Sequence, residues 1–178
     1  FAYIRATMGL TGRDDLFDEN WKNAKVPKGA YHLFITGQDG ARQAQNLMRV
    51  CRTPGDLLPV IDVEPRSIDT DIRHEVNRCE IKRFVETIQT EWNVTPIIYT
   101  SANAWRVMTD ANDNMGCKLW VAHYTNRLQP LLPPGWKDWA LWQYTDKGSI
   151  PGIAGDVDTN RLLNDDMGLI TIGKKEKK

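Results

Sequence analysis

Apolar and polar positions along the chain follow two periods, and the two alternate. Runs rich in β-branched and aromatic residues with a period of two fall at Phe1–Thr7, Ala30–Ile35, Leu58–Glu64, Pro96–Thr100, Lys118–Tyr124 and Ala140–Tyr144, the signature of pleated strands. Between the early runs lie stretches of helical character. Asp14–Lys25 opens on acids and closes on Lys, as a helix dipole favours. Gln38–Val50 places Ala41, Ala44, Leu47 and Met48 at helical spacing, and Asp71–Trp92 carries a stripe of Val76, Ile81, Phe84, Val85 and Ile88. Ala102–Ala111 is a shorter and weaker candidate.

Strand–helix–strand repetition predicts parallel β/α units. The pattern changes after Lys118. There the last two strand runs are joined by a loop containing Gln129-Pro130-Leu131-Leu132-Pro133-Pro134-Gly135, too short and too proline-rich for a crossover helix. The expected fold is α/β, a modified (β/α) TIM-like barrel with few helices and antiparallel strands in its later part. No repeat, low-complexity linker or composition break marks a boundary, so residues 1–178 are expected to form a single barrel domain. The basic tail Gly173–Lys178 reads as a frayed, disordered terminus.

Composition then removes several classes of function. Lys plus Arg and Asp plus Glu both number 23, and phosphate neutralisation needs clustered basic excess, so nucleic acid is not an expected partner. No run approaches the ~18 apolar residues of a membrane span. Cys51, Cys79 and Cys117 are an odd count without close pairing, which suits neither a disulfide framework nor a zinc site. Three free thiols are the simplest reading; one disulfide and one thiol is the other. His32, His74 and His123 lack metal-ligand spacing and read as core or supporting histidines. Nucleophile signatures and phosphate-cradling glycine loops are absent. No cofactor and no metal are expected.

The chemistry is carried by Leu57-Leu58-Pro59-Val60-Ile61-Asp62-Val63-Glu64. Alternation puts Leu58, Val60, Asp62 and Glu64 on one face of a strand and Ile61 and Val63 on the other. Along the first face the character changes from aliphatic to acidic toward the C-terminal end, where barrel enzymes gather their catalytic groups. Carboxylates at i and i+2 have Cα atoms about 6.6 Å apart. Their repulsion and partial burial raise the pKa of one of them, giving the acid and the ionised partner that glycosidic cleavage uses. A bland reading stands beside it: strand-end acids salt-bridged to Arg66 or another base.

Seven tryptophans weigh toward sugar chemistry, because flat rings at a barrel mouth stack on sugar faces. Tyr31 and Tyr99 sit late in their strands and are the better site candidates. Trp120 and Tyr124 also lie at or beside predicted strand ends, and Trp21, Trp92 and Trp139 read as core. After the turn Gly152-Ile153-Ala154-Gly155, Asp158 on a last short strand projects toward the same mouth, or else caps the turn.

The ordered set Phe1-Ala2-Tyr3-Ile4-Arg5-Ala6-Thr7, Phe17-x-x-Asn20-Trp21-x-x-Ala24, Gly29-Ala30-Tyr31-His32-Leu33-Phe34, Leu58–Glu64 and Pro96-Ile97-Ile98-Tyr99-Thr100 resembles the glycoside hydrolase family 25 lysozymes (Chalaropsis-type N-acetylmuramidases). So do Leu119–Tyr124, Leu141-Trp142-Gln143-Tyr144 and Gly155–Asn160. The resemblance implies a helix-poor barrel that cleaves the β-1,4 bond from N-acetylmuramic acid to N-acetylglucosamine in peptidoglycan. It further implies Glu64 as general acid and Asp62 as the group orienting the substrate acetamido in a substrate-assisted, retaining path. Asp158 resembles a further site aspartate, Tyr31 and Tyr99 resemble substrate-contacting tyrosines, and Trp120 and Tyr124 are weaker candidates for the same role. A cell-wall partner, a monomer, and secretion or phage delivery to the wall go with that family.

The departure is at the front. The family begins with a strand bearing an Asp-Val-Ser-like segment, and this chain opens where the second strand should be. The sequence alone is expected to be an incomplete piece, or to fill that gap otherwise. Leu169-Ile170-Thr171-Ile172 is a β-like run but brings no matching aspartate. A sugar-binding relative that does not cleave is therefore the alternative. A chitinase-type enzyme is disfavoured, because Val60 and Leu58 stand where that pattern carries further aspartates.

Overall fold

The computed structural model describes residues 1–66 and 73–173. Its frame is one eight-stranded sheet curled into a half-barrel, in the order β2-β1-β3-β4-β5-β6-β7-β8. The strands are β1 (Ala2–Met8), β2 (Gly12–Arg13), β3 (Lys28–Leu33), β4 (Val60–Asp62), β5 (Ile97–Thr100), β6 (Lys118–Ala122), β7 (Leu141–Gly148) and β8 (Val157–Leu162). From β1 through β7 neighbours run parallel, apart from β2, which folds back antiparallel on β1; β8 closes the other end antiparallel to β7. Four α-helices lie among the described residues: α1 (Phe17–Asn23), α2 (Gly40–Cys51), α3 (His74–Trp92) and α4 (Ala102–Thr109).

The period-two alternation sorts side chains onto two faces. On the convex face Ala6, Ala30, Ile61, Val63, Ile98, Leu119 and Val121 pack with Leu47 of α2, Ile81, Phe84 and Ile88 of α3, and Trp105 and Met108 of α4. The concave face carries Val60, Ile97, Trp120 and Leu141, with Tyr3, Tyr31 and Tyr99 packed against them. The faces predicted for Val60 and Asp62, and for Ile61 and Val63, are those observed.

Helix packing depends on one glycine. A Cβ on Gly40 would lie 1.7 Å from the carbonyl oxygen of Glu80, and the Gly40 N–H donates to the Glu80 carboxylate at 2.6 Å. The start of α2, capped by Asp39 accepting from the Arg42 N–H, is thus pressed onto α3 with no room for a side chain.

Several boundaries differ from the sequence expectation. β4 spans only three residues, so Glu64 stands beyond the hydrogen-bonded ladder. The early part of the third helix candidate, Ser67–Ile72 with Asp71, lies outside the described residues, as do Lys174–Lys178 of the tail. β6 and β7 remain parallel although no helix joins them, and the antiparallel step comes one strand later. The loop between them substitutes for a helix: Trp136 packs edge-on to Trp105 with ring centroids 4.9 Å apart, and its Nε1–H donates to the Cys117 carbonyl at 2.9 Å. A buried indole with its one donor satisfied covers the convex face where a crossover helix would otherwise lie.

The Leu169–Ile172 run does not form a barrel strand. Thr171 makes an isolated bridge to Leu57, the Leu58 N–H donates to the Ile170 carbonyl at 2.7 Å, and Ile170 is fully buried among the concave-face residues. This segment therefore packs at the end of the half-barrel from which the parallel strands start. Cys51, Cys79 and Cys117 are all free thiols.

Candidate active site

Asp62 ends β4 and is paired across the sheet with Leu33 on one side and Tyr99 on the other. The strand run that buries Val60 carries Asp62 inward with it, leaving the residue 7% exposed. Arg66 donates from Nη2 to its Oδ2 at 3.0 Å. The other oxygen, Oδ1, is buried with no hydrogen-bond partner among the described residues. Burial, reinforced by the neighbouring charge of Glu64, pushes the carboxyl up to about 7 against the opposing pull of Arg66.

Glu64 is partly exposed at the mouth. Its pKa is raised by burial first and by Asp158 to a lesser extent, with Arg66 opposing. Asp158, near the start of β8, is raised by burial and by Asp146. Asp62 and Glu64, at and just beyond the end of β4, and Asp158, from β8, thus act on one another in the order Asp62–Glu64–Asp158. The bland alternative for Asp62 is half met: the Arg66 bridge exists, yet it does not return the carboxyl to its ordinary range.

Two of the tyrosines meet at one acceptor. Gln143, on the concave face of β7 and 3% exposed, accepts from the Tyr99 hydroxyl at 2.8 Å and from the Tyr124 hydroxyl at 2.7 Å. Burial raises the Tyr99 pKa, and Glu64, Asp62 and Asp158 add to it, so the ring stands amid the carboxylates. Tyr31 on β3 is raised chiefly by burial, with Arg5 lowering it and Asp62 raising it. Arg5 is itself held by Asp14, Nε to Oδ2 at 2.6 Å. Trp120 is 8% exposed, lies between Tyr3 and Tyr99 with centroids at 4.9 and 5.1 Å, and donates to Asn160 Oδ1 at 2.8 Å. It forms the floor beneath the tyrosines rather than an open platform.

Gln143, Asn160, Arg5 and Tyr3 were not singled out from the sequence as site residues. A signal existed for Gln143 and Asn160: polar residues that a strand carries inward need partners, and each sits opposite the other in the β7–β8 pairing.

His32 and His123 are held in contacts with other parts of the fold. His32 is fully buried beneath Phe84, with Nδ1 2.7 Å from the Thr7 hydroxyl and Nε2 3.2 Å from Gln43 Oε1. Burial holds it down to about 4, hence neutral. His123 Nδ1 accepts from the Leu131 N–H, which ties down the helix-replacing loop. Among the described residues no group of three His, Cys, Asp or Glu side chains could hold a metal ion, and no helix is long and apolar enough to cross a membrane.

Comparison with known proteins bears on this arrangement. The profile of the glycosyl hydrolases family 25 matches residues 1–153, a range holding Asp62 and Glu64 and ending just before Asp158. The chain is 30% identical over 176 residues to Lysozyme M1 of Streptomyces globisporus, covering 91% of this chain and 59% of that protein. It therefore spans about three fifths of the length of that curated relative. Among solved structures, a bacterial lysozyme from Streptomyces coelicolor superposes with a TM-score of 0.81 at 29% identity, covering 91% of this chain and 80% of the other. A muramidase from Acremonium alcalophilum gives 0.79 at 27% identity, with 94% and 84% covered.

Proposed function

The chain belongs to the glycosyl hydrolases family 25, and from that premise we propose that it is a muramidase cleaving the β-1,4 bond between N-acetylmuramic acid and N-acetylglucosamine of peptidoglycan. The observation that carries the proposal is the pair at the end of β4: a buried Asp62 pushed up to about 7 and Glu64 two residues on, at the rim.

In the protein alone the deeper carboxyl, Asp62, holds a proton more tightly than an ordinary aspartate. Its unpartnered Oδ1 is suited to accept the N–H of a substrate acetamido group. That hydrogen bond favours the Asp62 anion, and the pair's proton then resides on Glu64, which donates it to the glycosidic oxygen as the C1–O bond breaks. The acetamido carbonyl oxygen bonds to C1 from the opposite face, and Asp62 stabilises the resulting positive charge. Water then opens the intermediate, with Glu64 taking back a proton, and the configuration is retained. Asp158, which acts on Glu64, keeps that acid protonated to higher pH. Tyr31 and Tyr99 line the sugar site, Tyr124 its rim and Trp120 its floor.

We take residues 1–178 as one such catalytic domain, acting on the bacterial wall after secretion or phage delivery, as a monomer. Support for a single unit comes from the unbroken sheet from β2 to β8. A peptidoglycan digest analysed by mass spectrometry tests the reading. Products ending in reducing N-acetylmuramic acid are expected. A folded chain that binds fragments but releases no new reducing ends would replace the enzyme reading with that of a wall-sugar binder.

A further inference from the structure

The loss of a crossover helix between β6 and β7 leaves part of the convex face of β7 without a helical cover. Trp136 and its loop fill the lower portion. Toward the mouth lies an open groove of about 620 Å³, walled by Tyr124, Thr125, Arg127, Trp142, Tyr144 and Arg161 among others. The groove adjoins the candidate active site through Tyr124, whose hydroxyl bonds Gln143 within the site while its ring, half exposed, faces the groove.

Its charge is one-sided. None of the residues lining it is acidic. Arg161 lies over Tyr144 at 4.8 Å and over Trp142 at 5.7 Å, and pairs with no carboxylate among the described residues. Stacking uses the faces of a guanidinium and leaves its in-plane N–H donors for an anion. Arg127 lines the same groove and likewise has no ion-pair partner among the described residues. Asp146, the nearest acid along β7, acts on Asp158 and Tyr124 and is not part of the lining.

We propose that this groove is a subsite for the peptide side chain of the glycan strand, with Arg127 and Arg161 receiving its free carboxylates. The inference rests on the muramidase reading. Muramic acid carries its peptide through a lactyl ether on the sugar whose bond is cleaved, so the peptide leaves the strand beside the catalytic pair. At about 3.3 Å per extended residue, two or three residues of that peptide span the width of a side-chain wall such as Tyr124. Two guanidiniums unpaired by protein acids match a carboxylate in both charge and fork geometry.

Calorimetric titration tests this in the Glu64→Gln chain, so that the ligand persists. The probes are a muramic-acid tetrasaccharide bearing tripeptide stems, the same tetrasaccharide stripped of stems, and the free tripeptide. Joint Arg127→Gln and Arg161→Gln substitution is expected to weaken the stem-bearing glycan by roughly tenfold, a ratio worth about 1.4 kcal/mol, and to leave the stripped glycan unchanged. Equal weakening of both glycans, or of neither, would overturn the subsite. If the parent binds neither glycan, the muramidase reading fails, and the free tripeptide decides the groove alone: arginine-dependent binding supports it and no binding overturns it.

Discussion

Arg66 donates to Oδ2 of Asp62 at 3.0 Å, and the carboxyl nevertheless sits near 7. A guanidinium at hydrogen-bond distance ordinarily pulls a carboxylate below its usual range. Here it is outweighed because Asp62 is buried, its Oδ1 has no partner among the described residues, and Glu64 adds a like charge. The salt bridge fixes the orientation of the carboxyl without fixing its charge.

That imbalance sets a pH dependence. The folded value of Asp62 lies above the ordinary 3.8, so between about pH 4 and 7 the native chain holds a proton that the unfolded chain has released. Stability therefore falls as pH rises through that window and levels off above it. Glu64 and Asp158, also raised, add the same sign. Urea unfolding of Asp62→Asn at pH 4.5 and 7.5 should show a smaller loss than the parent, by on the order of 2–4 kcal/mol. Identical pH dependence in both would mean that Asp62 is ionised in the fold across the window.

Glu64 stands partly exposed at the rim, and its pKa, raised chiefly by burial, lets it hold a proton that an ordinary glutamate would already have lost. Glu64→Gln keeps the shape and removes the proton. The release of reducing ends should drop by about 10³-fold, with KM for soluble fragments within about twofold of the parent. Turnover close to that of the parent would take the acid's role away from Glu64.

The alternation in Leu58–Glu64 was enough to put Asp62 on one face with Val60 and Ile61 on the other with Val63, because successive side chains of a strand point to opposite faces. The barrel was legible for the same reason in β3, β5 and β6. What escaped was long-range partnership. Nothing local in Leu141-Trp142-Gln143-Tyr144 says that Gln143 will accept from hydroxyls 44 and 19 residues away. Nor does the proline-rich loop announce that Trp136 will cover Trp105, which keeps β6 and β7 parallel without a helix. The Leu169–Ile172 run looked like a strand because buried apolar residues and strand residues share a composition; Ile170 is simply buried.

The three thiols differ in environment, and that difference is measurable. Burial pushes Cys51 and Cys117 each up to about 12, whereas Cys79 is exposed on α3. The thiolate is the reactive form. An aromatic disulfide reagent at pH 8 should therefore titrate one thiol per chain rapidly and the other two only on denaturation. Cys79→Ser should abolish the fast phase. Three fast thiols would contradict the burial of Cys51 at the end of α2 and of Cys117 just before β6.

Gln143 is the last and most local test of the site's construction. Its one side-chain oxygen serves two tyrosines, so Gln143→Leu strands both hydroxyls, but unequally. Tyr124 is 51% exposed and finds water, while Tyr99, part-buried amid Trp120 and the carboxylates, is the less able to do so. The substitution should cost about 1–3 kcal/mol of stability and raise KM as the tyrosines lose their common anchor. In a Tyr99→Phe background the same change should cost less, because the stranded donor is already gone. A double-mutant cycle by urea unfolding should give a coupling of about 1 kcal/mol between the two positions. Strict additivity would mean that Gln143 supports β7 alone and that Tyr99 is held in place by Trp120 and its strand.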